Sequence, residues 1–412
     1  MPVPDKIVTK FFISAQQEIS IEVTKDHDDI VQSTILVNGL PYEFVDEAPA
    51  TNEEKIAFAD KLKRAAYSSF LKSHFENLIV LTGAGSSVGW GGKTMKELWE
   101  KVEAKLTSPV LEKFCKAVKF IPEDTVFANL TDADKDLERL LSRASTAKSF
   151  VETDFDITDT IKICEKEICT NCKIDLQDDS PHESFLNKIT NRKLKDPRVK
   201  VFTLNYDTLF EQAAVKGNFT VIDGFSFSSP RTLSGRNFDY DIVYREKSRI
   251  KEEESFVPKV FHLYKPHGSI NWELTNEERI VINDLTETPL MIYPKDSKYE
   301  NSYDQPFFEM MSRFQHNLRK DNVLLICVGF SLNDKHIVTA IKEAVSQNPS
   351  FRVLIVNRSI RDSEEMQWFI DKANKQFNVT IVAEEFKDFA QNYPTSKVYT
   401  EAFNPAPAKN GL

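Results

Sequence analysis

Apolar and polar positions fall into two rhythms along this chain. Residues 78–81 (LIVL) form an uninterrupted apolar run, the pattern of a parallel strand covered on both faces. Comparable runs predict strands at 201–204, 323–328, 352–356 and 379–382, with two more near 262–265 and 290–293. Helical spacing joins the last of these, which predicts βα units on a parallel sheet. Residues 52–73 carry helical spacing with a charged face, and the stretches KELWEKVEAKL, DLERLLSRAS, ITDTIKICEKEI and HESFLNKITNRK do the same between 95 and 195. The first fifty residues differ. ISIEV at 19–23 alternates apolar with polar, and ILVNGL at 35–40 places Asn38-Gly39 where a tight hairpin needs it. The predicted organisation is an N-terminal β extension (1–50), an α/β domain of Rossmann-like type in two pieces (51–96 and 196–412), and a helical insertion between them (97–195). Residues 226–260, which include the acidic run Glu252-Glu253-Glu254, show little periodicity and read as a long, partly ordered loop.

The strand at 78–81 runs into Thr82-Gly83-Ala84-Gly85-Ser86-Ser87. Gly83 and Gly85 allow a tight turn and close approach to a phosphate, with Ser86 and Ser87 placed to cap a following helix whose amides favour an anion. Two familiar glycine motifs miss by one residue. The dinucleotide fingerprint requires glycine where Val88 stands, and the P-loop ending Gly92-Lys93-Thr94 would begin on Ser87. Lys93 is either a phosphate ligand or a surface lysine.

Composition narrows the class. The chain has 412 residues, 41% hydrophobic and 28% charged, enough for two or three domains and a large core. Its net charge of −10 argues against a general nucleic-acid binder. One basic run, RKLKDPRVK at 192–200, reads as a solvated helix end and loop. No apolar run approaches the ~18 residues of a membrane span, and MPVPDKIVTKFF lacks a signal-peptide core. Five irregularly spaced cysteines make no disulfide framework, so the expected compartment is the cytoplasm. Cys169 and Cys172 form a single C-x-x-C without a second pair, which favours structural cysteines over zinc, and no metal is expected.

Four segments stand at predicted carboxyl ends of strands, where open α/β sheets bind ligands. They are Gly83-Ala84-Gly85-Ser86, Thr203-Leu204-Asn205-Tyr206-Asp207, Lys265-Pro266-His267-Gly268-Ser269 and Gly329-Phe330-Ser331-Leu332-Asn333-Asp334; a fifth strand ends on Asn357-Arg358. Each alone has a structural reading, such as a helix cap, a buried histidine or a turn former. Together, in this order, they resemble the sirtuin-type NAD-binding family. The resemblance implies that Gly83, Ala84, Gly85, Ser86 and Ser87 cradle the NAD pyrophosphate, with Thr94 in the same cofactor-binding set. It implies that Asn205 and Asp207 flank the nicotinamide-side ribose, that His267 is catalytic, and that Gly329, Ser331 and Asn357 hold the adenosine half. The paired zinc knuckles of the deacylase sirtuins are missing, and the glycine turn continues as Gly89-Trp90-Gly91-Gly92 in place of the deacylase loop.

A closer resemblance, from GAGSSVGWGGKTMKELW through TLNYDTLFEQAA, Asn237-Phe238-Asp239 and LYKPHGSINW to MIYPKDSKY, is to sirtuin-like subunits of bacterial anti-phage defence paired with a HerA-type hexameric ATPase. It implies an NAD hydrolase that depletes NAD, a homo-oligomer, and contact with nucleic acid only through the ATPase. On that reading His267 is the general base towards water or a ribose hydroxyl, a role suited to an imidazole of pKa ~6.5. Asn205 positions water and ribose; Asp207 either stabilises developing positive charge or caps the next helix. Trp90, Tyr206, Tyr293 and Tyr299 either stack on the ligand or pack in the core. The competing readings are an NAD-dependent protein deacylase, a non-catalytic NAD or ADP-ribose sensor, and a nucleic-acid-processing subunit.

Overall fold

The computed structural model describes residues 5–26, 29–44, 48–132, 134–148, 151, 153–193, 195–244, 256–291 and 306–395. The chain opens with an antiparallel meander, β1 (Asp5–Ile13), β2 (Glu18–Asp26), β3 (Asp29–Val37) and β4 (Leu40–Pro41). Asn38 and Gly39 both adopt positive φ between β3 and β4, the geometry of the predicted hairpin turn. Helix α1 (Asn52–Leu71) starts in a capping box of Thr51 and Glu54 and leads to β5 (Asn77–Thr82). Five helices follow: α2 (Met95–Leu106), α3 (Ser108–Ala117), α4 (Leu137–Ala147), α5 (Ile157–Cys172) and α6 (Pro181–Thr190). The chain then alternates through β6 (Lys200–Thr203), α7 (Leu209–Lys216), β7 (Thr220–Ile222), β8 (Val260–Tyr264), and the hairpin β9 (Trp272–Leu274) and β10 (Ile280–Ile282). It closes with α8 (Phe307–Leu318), β11 (Val323–Val328), α9 (Lys335–Gln347), β12 (Phe351–Asn357), α10 (Glu364–Ala373), β13 (Val379–Ala383) and α11 (Phe386–Asn392).

One sheet runs through the molecule in the order β4-β3-β2-β1-β13-β12-β11-β5-β6-β8-β7. From β13 to β7 all neighbours are parallel, so the Rossmann-like α/β expectation holds. The N-terminal strands continue the central sheet: β1 pairs antiparallel with β13, Phe12 opposite Val382 and Ile13 opposite Ile381. They cover what would otherwise be an open sheet edge. Period-two alternation distributes each parallel strand between two cores. In β5, Ile79 and Leu81 join the face under α8, α9 and α10, while Leu78 and Val80 join the face under α1, α6, α7 and α11. Helices α2 to α5 build a third core around Trp99 and Phe114, which also takes in Tyr206, Ile270 and Met291. Helix α6, within the stretch read as an insertion, packs on the sheet with α7 and α11. Within 226–260 the described residues hold a 3₁₀ turn at Gly235–Asp239 and isolated bridges from Phe225 to Leu233 and Val243 to Phe256; Glu252-Glu253-Glu254 lies outside them. The strand expected at 290–293 is reduced, among the described residues, to a bridge between Gly268 and Met291. No helix among the described residues is long and apolar enough to cross a membrane.

Register places the site. Val328 stands opposite Thr82, and Thr82 opposite Thr203, so β11, β5 and β6 end level and release their following turns along one edge. The connections after β5 lead towards β6 and β8, whereas β11, β12 and β13 build outwards on its other side. The crevice between β5 and β11 is therefore the switch point at which such sheets bind ligands.

Candidate active site

Gly83 and Gly85 are required first by the protein itself. The Gly83 amide donates to the Val328 carbonyl at 3.1 Å and the Gly85 amide to the Gly329 carbonyl at 3.0 Å. A methyl group on Gly85 would lie 2.6 Å from the Gly329 Cα, and one on Gly329, whose φ is +61°, would lie 2.6 Å from the Gly85 backbone. The two turns cross in a contact that excludes any side chain. The Ser86 and Ser87 amides donate back to the Gly83 and Ala84 carbonyls, which leaves the Ala84 and Gly85 backbone as the exposed surface of the turn.

The helix expected directly behind this turn starts later. Residues 84–90 form two short 3₁₀ turns, and the next α-helix, α2, opens at Met95. Ser86 and Ser87 therefore cap nothing. The Ser86 hydroxyl donates to the Gly83 carbonyl at 2.9 Å and the Ser87 hydroxyl to Asp207 Oδ2 at 2.7 Å. The cap of α2 is Thr94, whose Oγ1 lies 2.9 Å from Glu97 Oε2 and receives the Glu97 amide at 3.3 Å.

Asn205 and Asp207 leave β6 beside this turn. Asn205 Nδ2 donates to the Gly83 carbonyl (3.0 Å), Ser86 Oγ (3.1 Å) and Ser87 Oγ (2.8 Å). The amide nitrogen is thereby locked, and its Oδ1 accepts from no protein group among the described residues. Asp207 receives the Leu209 amide at 3.1 Å on Oδ1 and Ser87 on Oδ2, so it does bond the opening of α7 while also fixing the turn. Thr82, the last residue of β5, holds a buried hydroxyl with no partner among the described residues.

His267 is 7% exposed, its Nε2 3.0 Å from Asp334 Oδ2. Burial lowers its pKa, but the Asp334 hydrogen bond and charge outweigh that, and the pKa lies above the ordinary value. Asp334 has the reciprocal shift: burial raises its pKa, and the bond to His267, its charge and the Ile337 amide carry it below the usual value. Asp334 also caps α9, Oδ1 accepting the His336 and Ile337 amides at 2.9 and 3.1 Å. Nδ1 of His267 has no protein partner among the described residues. Turns from β8 and β11 thus hold one imidazole by one nitrogen.

Lys265 ties the histidine loop to the asparagine strand. Its ammonium, 2% exposed, donates to the Asp207 carbonyl and to Ser269 Oγ (2.8 Å), and pairs with Glu211 at 3.0 Å. Neither Lys265 nor Asp334 was given a role by the sequence. Asp334 is signalled only as the polar residue opening a helix, and Lys265 only by lying two residues before His267.

The other expected residues are placed less centrally. Gly329 forms the turn contact, Ser331 is exposed, and Asn357 Nδ2 donates to the Phe330 carbonyl at 2.9 Å, bracing the β11 turn. Trp90 is buried under Lys387, and Tyr206 packs in the helical core with its ring 6.5 Å from His267. Tyr293 and Tyr299 lie outside the described residues. Burial pushes the Cys115, Cys164 and Cys172 thiols up to about 12, and no cluster of three or more metal-ligating side chains occurs among the described residues.

The fold and this edge define an open α/β protein whose polar groups converge on the switch point of a parallel sheet. Residues 199–377 match the family model of the SIR2-like domain, and over that span the chain is sirtuin-like. The match takes in Asn205, Asp207, His267, Gly329, Ser331, Asp334 and Asn357, while the glycine turn precedes it. No curated protein matches the chain. A SIR2-like domain fits NAD-related activity in general. Asn205 Oδ1 and His267 Nδ1 have no protein partner among the described residues. Ala84 and Gly85 are exposed at the glycine turn, where the Gly83, Gly85, Ser86 and Ser87 amides are bonded within the protein.

Proposed function

We propose that this chain is an NAD+ glycohydrolase, cleaving NAD+ to nicotinamide and ADP-ribose. The observation that carries the reading is the buried His267–Asp334 pair after β8, with an asparagine after the neighbouring strand β6 whose amide nitrogen is immobilised by three bonds. Bound NAD+ supplies a leaving group, nicotinamide, that departs neutral, and the positive charge of its ring passes to the ribose as the glycosidic bond breaks. His267 Nδ1 takes the proton from water as the water oxygen joins the anomeric carbon, and the glycosidic electron pair leaves with nicotinamide. Asp334 holds the ring and compensates the imidazolium. Asn205 presents Oδ1 to the ribose hydroxyls, a positioning task that depends on its locked amide. Asp207, bonded on both oxygens, contributes a fixed negative charge beside the same turn.

The physiological proposal follows the resemblance of the motifs: NAD depletion in anti-phage defence, by a homo-oligomer working with a HerA-type ATPase, in the cytoplasm. NAD loss and nicotinamide release from the purified protein, alone and with such an ATPase, test both levels. His267→Ala and Asn205→Ala are each expected to lose at least ~100-fold in turnover, the scale of an acid–base or positioning group. Full turnover in both folded variants rejects the site. NAD binding without turnover in either sample points to a sensor, and turnover that requires an acyl-lysine peptide points to a deacylase.

A further inference from the structure

At the opposite, amino-terminal end of the parallel strands lies a cavity of about 320 Å³, within the size range of small-ligand pockets. Arg198, Lys200, His262, Arg313, His316 and Lys320 line it, with Asp239 and Asp241 as its carboxylates. Lys200 opens β6 and stands opposite His262, the middle residue of β8, on the two strands whose carboxyl ends lead to Asn205 and His267. Two of the residues come from the basic run at 192–200 that the catalytic reading leaves unused.

The charge balance inside the cavity is uneven. Arg198 is consumed: its guanidinium pairs with Asp241 at 2.9 Å and donates to the Val257 and Ile242 carbonyls at 2.8 and 3.2 Å. Arg313 is consumed by Asp239 at 2.7 Å and Glu309 at 2.6 Å. Both carboxylates lining the cavity are thereby taken. Lys200 has only the Arg198 carbonyl, at 3.5 Å, and Lys320 and His316 have no side-chain partner among the described residues. Burial, then the neighbouring Lys320 and Arg192 charges, push Lys200 down to about 8. Burial, then the Lys200, Arg198 and Arg313 charges, push His262 down to about 3. Cations that repel one another in a concave, partly desolvated space are stabilised by an anion placed among them.

We infer that this cavity is an anion site, separate from the NAD edge, that takes a phosphate group. The choice of phosphate over carboxylate rests on which cations remain. The planar guanidinium forks that grip carboxylates are engaged already, and what remains is ammonium, a point charge with three rotatable donors suited to a tetrahedral anion.

Thermal unfolding of the full chain in inorganic phosphate, against sodium chloride of equal ionic strength, tests this. Phosphate is expected to raise the midpoint by about 3 °C at concentrations well above its dissociation constant. Lys200→Met is expected to abolish that response and to unfold at a higher midpoint than the native chain in chloride, because it removes an uncompensated charge. Lys320→Gln, at a half-buried position, is expected to weaken the response and carries the test if Lys200→Met does not fold. No phosphate response, or a response kept in both variants, overturns the site. An equal response to citrate overturns the phosphate assignment. Nicotinamide release reads the catalytic proposal independently of each of these outcomes.

Discussion

Strand β6 begins at Lys200 and stops at Thr203, yet the surroundings at its two ends differ in kind. Beyond Thr203 the charged groups are matched: Lys265 with Glu211, His267 with Asp334, and Asp207 with Ser87 and the Leu209 amide. At the Lys200 end, the carboxylates are taken by two arginines, and the lysines are left over. The first arrangement fixes atoms in place before any ligand arrives, as positioning chemistry requires. The second stores repulsion that a ligand relieves. One strand thus separates a pre-organised end from an unsatisfied one.

The same substitution at the two ends should therefore change stability with opposite sign. Whereas Lys200→Met is expected to stabilise, Lys265→Met strands the Glu211 carboxylate, whose pKa burial already raises, and frees the Asp207 carbonyl and Ser269. We expect a loss of about 3 kcal/mol by urea unfolding, the lower end for breaking a buried pair, because Glu211 keeps 28% of its side chain in water. Equal signs for the two substitutions break the comparison.

Gly329→Ala probes the geometry that the paired end depends on. Its methyl would sit 2.6 Å from Gly85 and Ser86 backbone atoms at a φ of +61°, so the β5 and β11 turns must part. The expected cost is about 2 kcal/mol, within the range for strained backbone positions. NAD turnover is expected to fall with it, since Asn205 takes its position from the Gly83 carbonyl. A variant with native midpoint and native turnover removes the turn contact from the account.

Much of this was legible from apolar runs and turn residues. The parallel strands at 78–81, 201–204, 323–328, 352–356 and 379–382 are buried throughout or nearly so, and continuous apolar runs are what such strands require. What stayed hidden was relational. β7, β9 and β10 are three residues each, too short for any period to register. β1 is held by its partner β13, over three hundred residues away in sequence, and no local pattern announces a sheet edge that another strand must cover. In the site, His267 and Asn205 stood out by type and order. Asp334 did not, because a polar residue before a helix is ordinarily only a cap, and its second partner becomes visible only when the turns after β8 and β11, strands separated in the sheet by β5 and β6, meet. The glycines carry a requirement of the same relational kind: Gly83 and Gly85 use their freedom from side chains against Gly329, which no local pattern shows.

Asp334→Asn gives the smallest expected effect and the sharpest one. Asparagine caps helices about as well as aspartate, so the bonds from His336 and Ile337 survive while the charge facing His267 is lost. Burial, which lowers the His267 pKa, is then opposed by the Glu138 charge but no longer by Asp334, and the pKa raised in the native protein falls. If His267 is the base, the acid limb of kcat/KM should lie above pH ~6.5 in the native enzyme and move to lower pH in the variant. The rate on the plateau should drop about tenfold, equivalent to ~1.4 kcal/mol, from loss of ring orientation and imidazolium compensation. Stability carries an independent sign. The raised histidine pKa contributes stability that is full below pH ~6.5 and disappears as pH rises through the folded-state value. The depressed Asp334 pKa contributes stability present above pH ~4 and lost as pH falls through its folded-state value. The deficit of the variant should therefore peak between those limits and shrink in alkaline buffer. A pH-independent deficit, with an unmoved acid limb, would leave Asp334 as a helix cap alone and His267 without its partner.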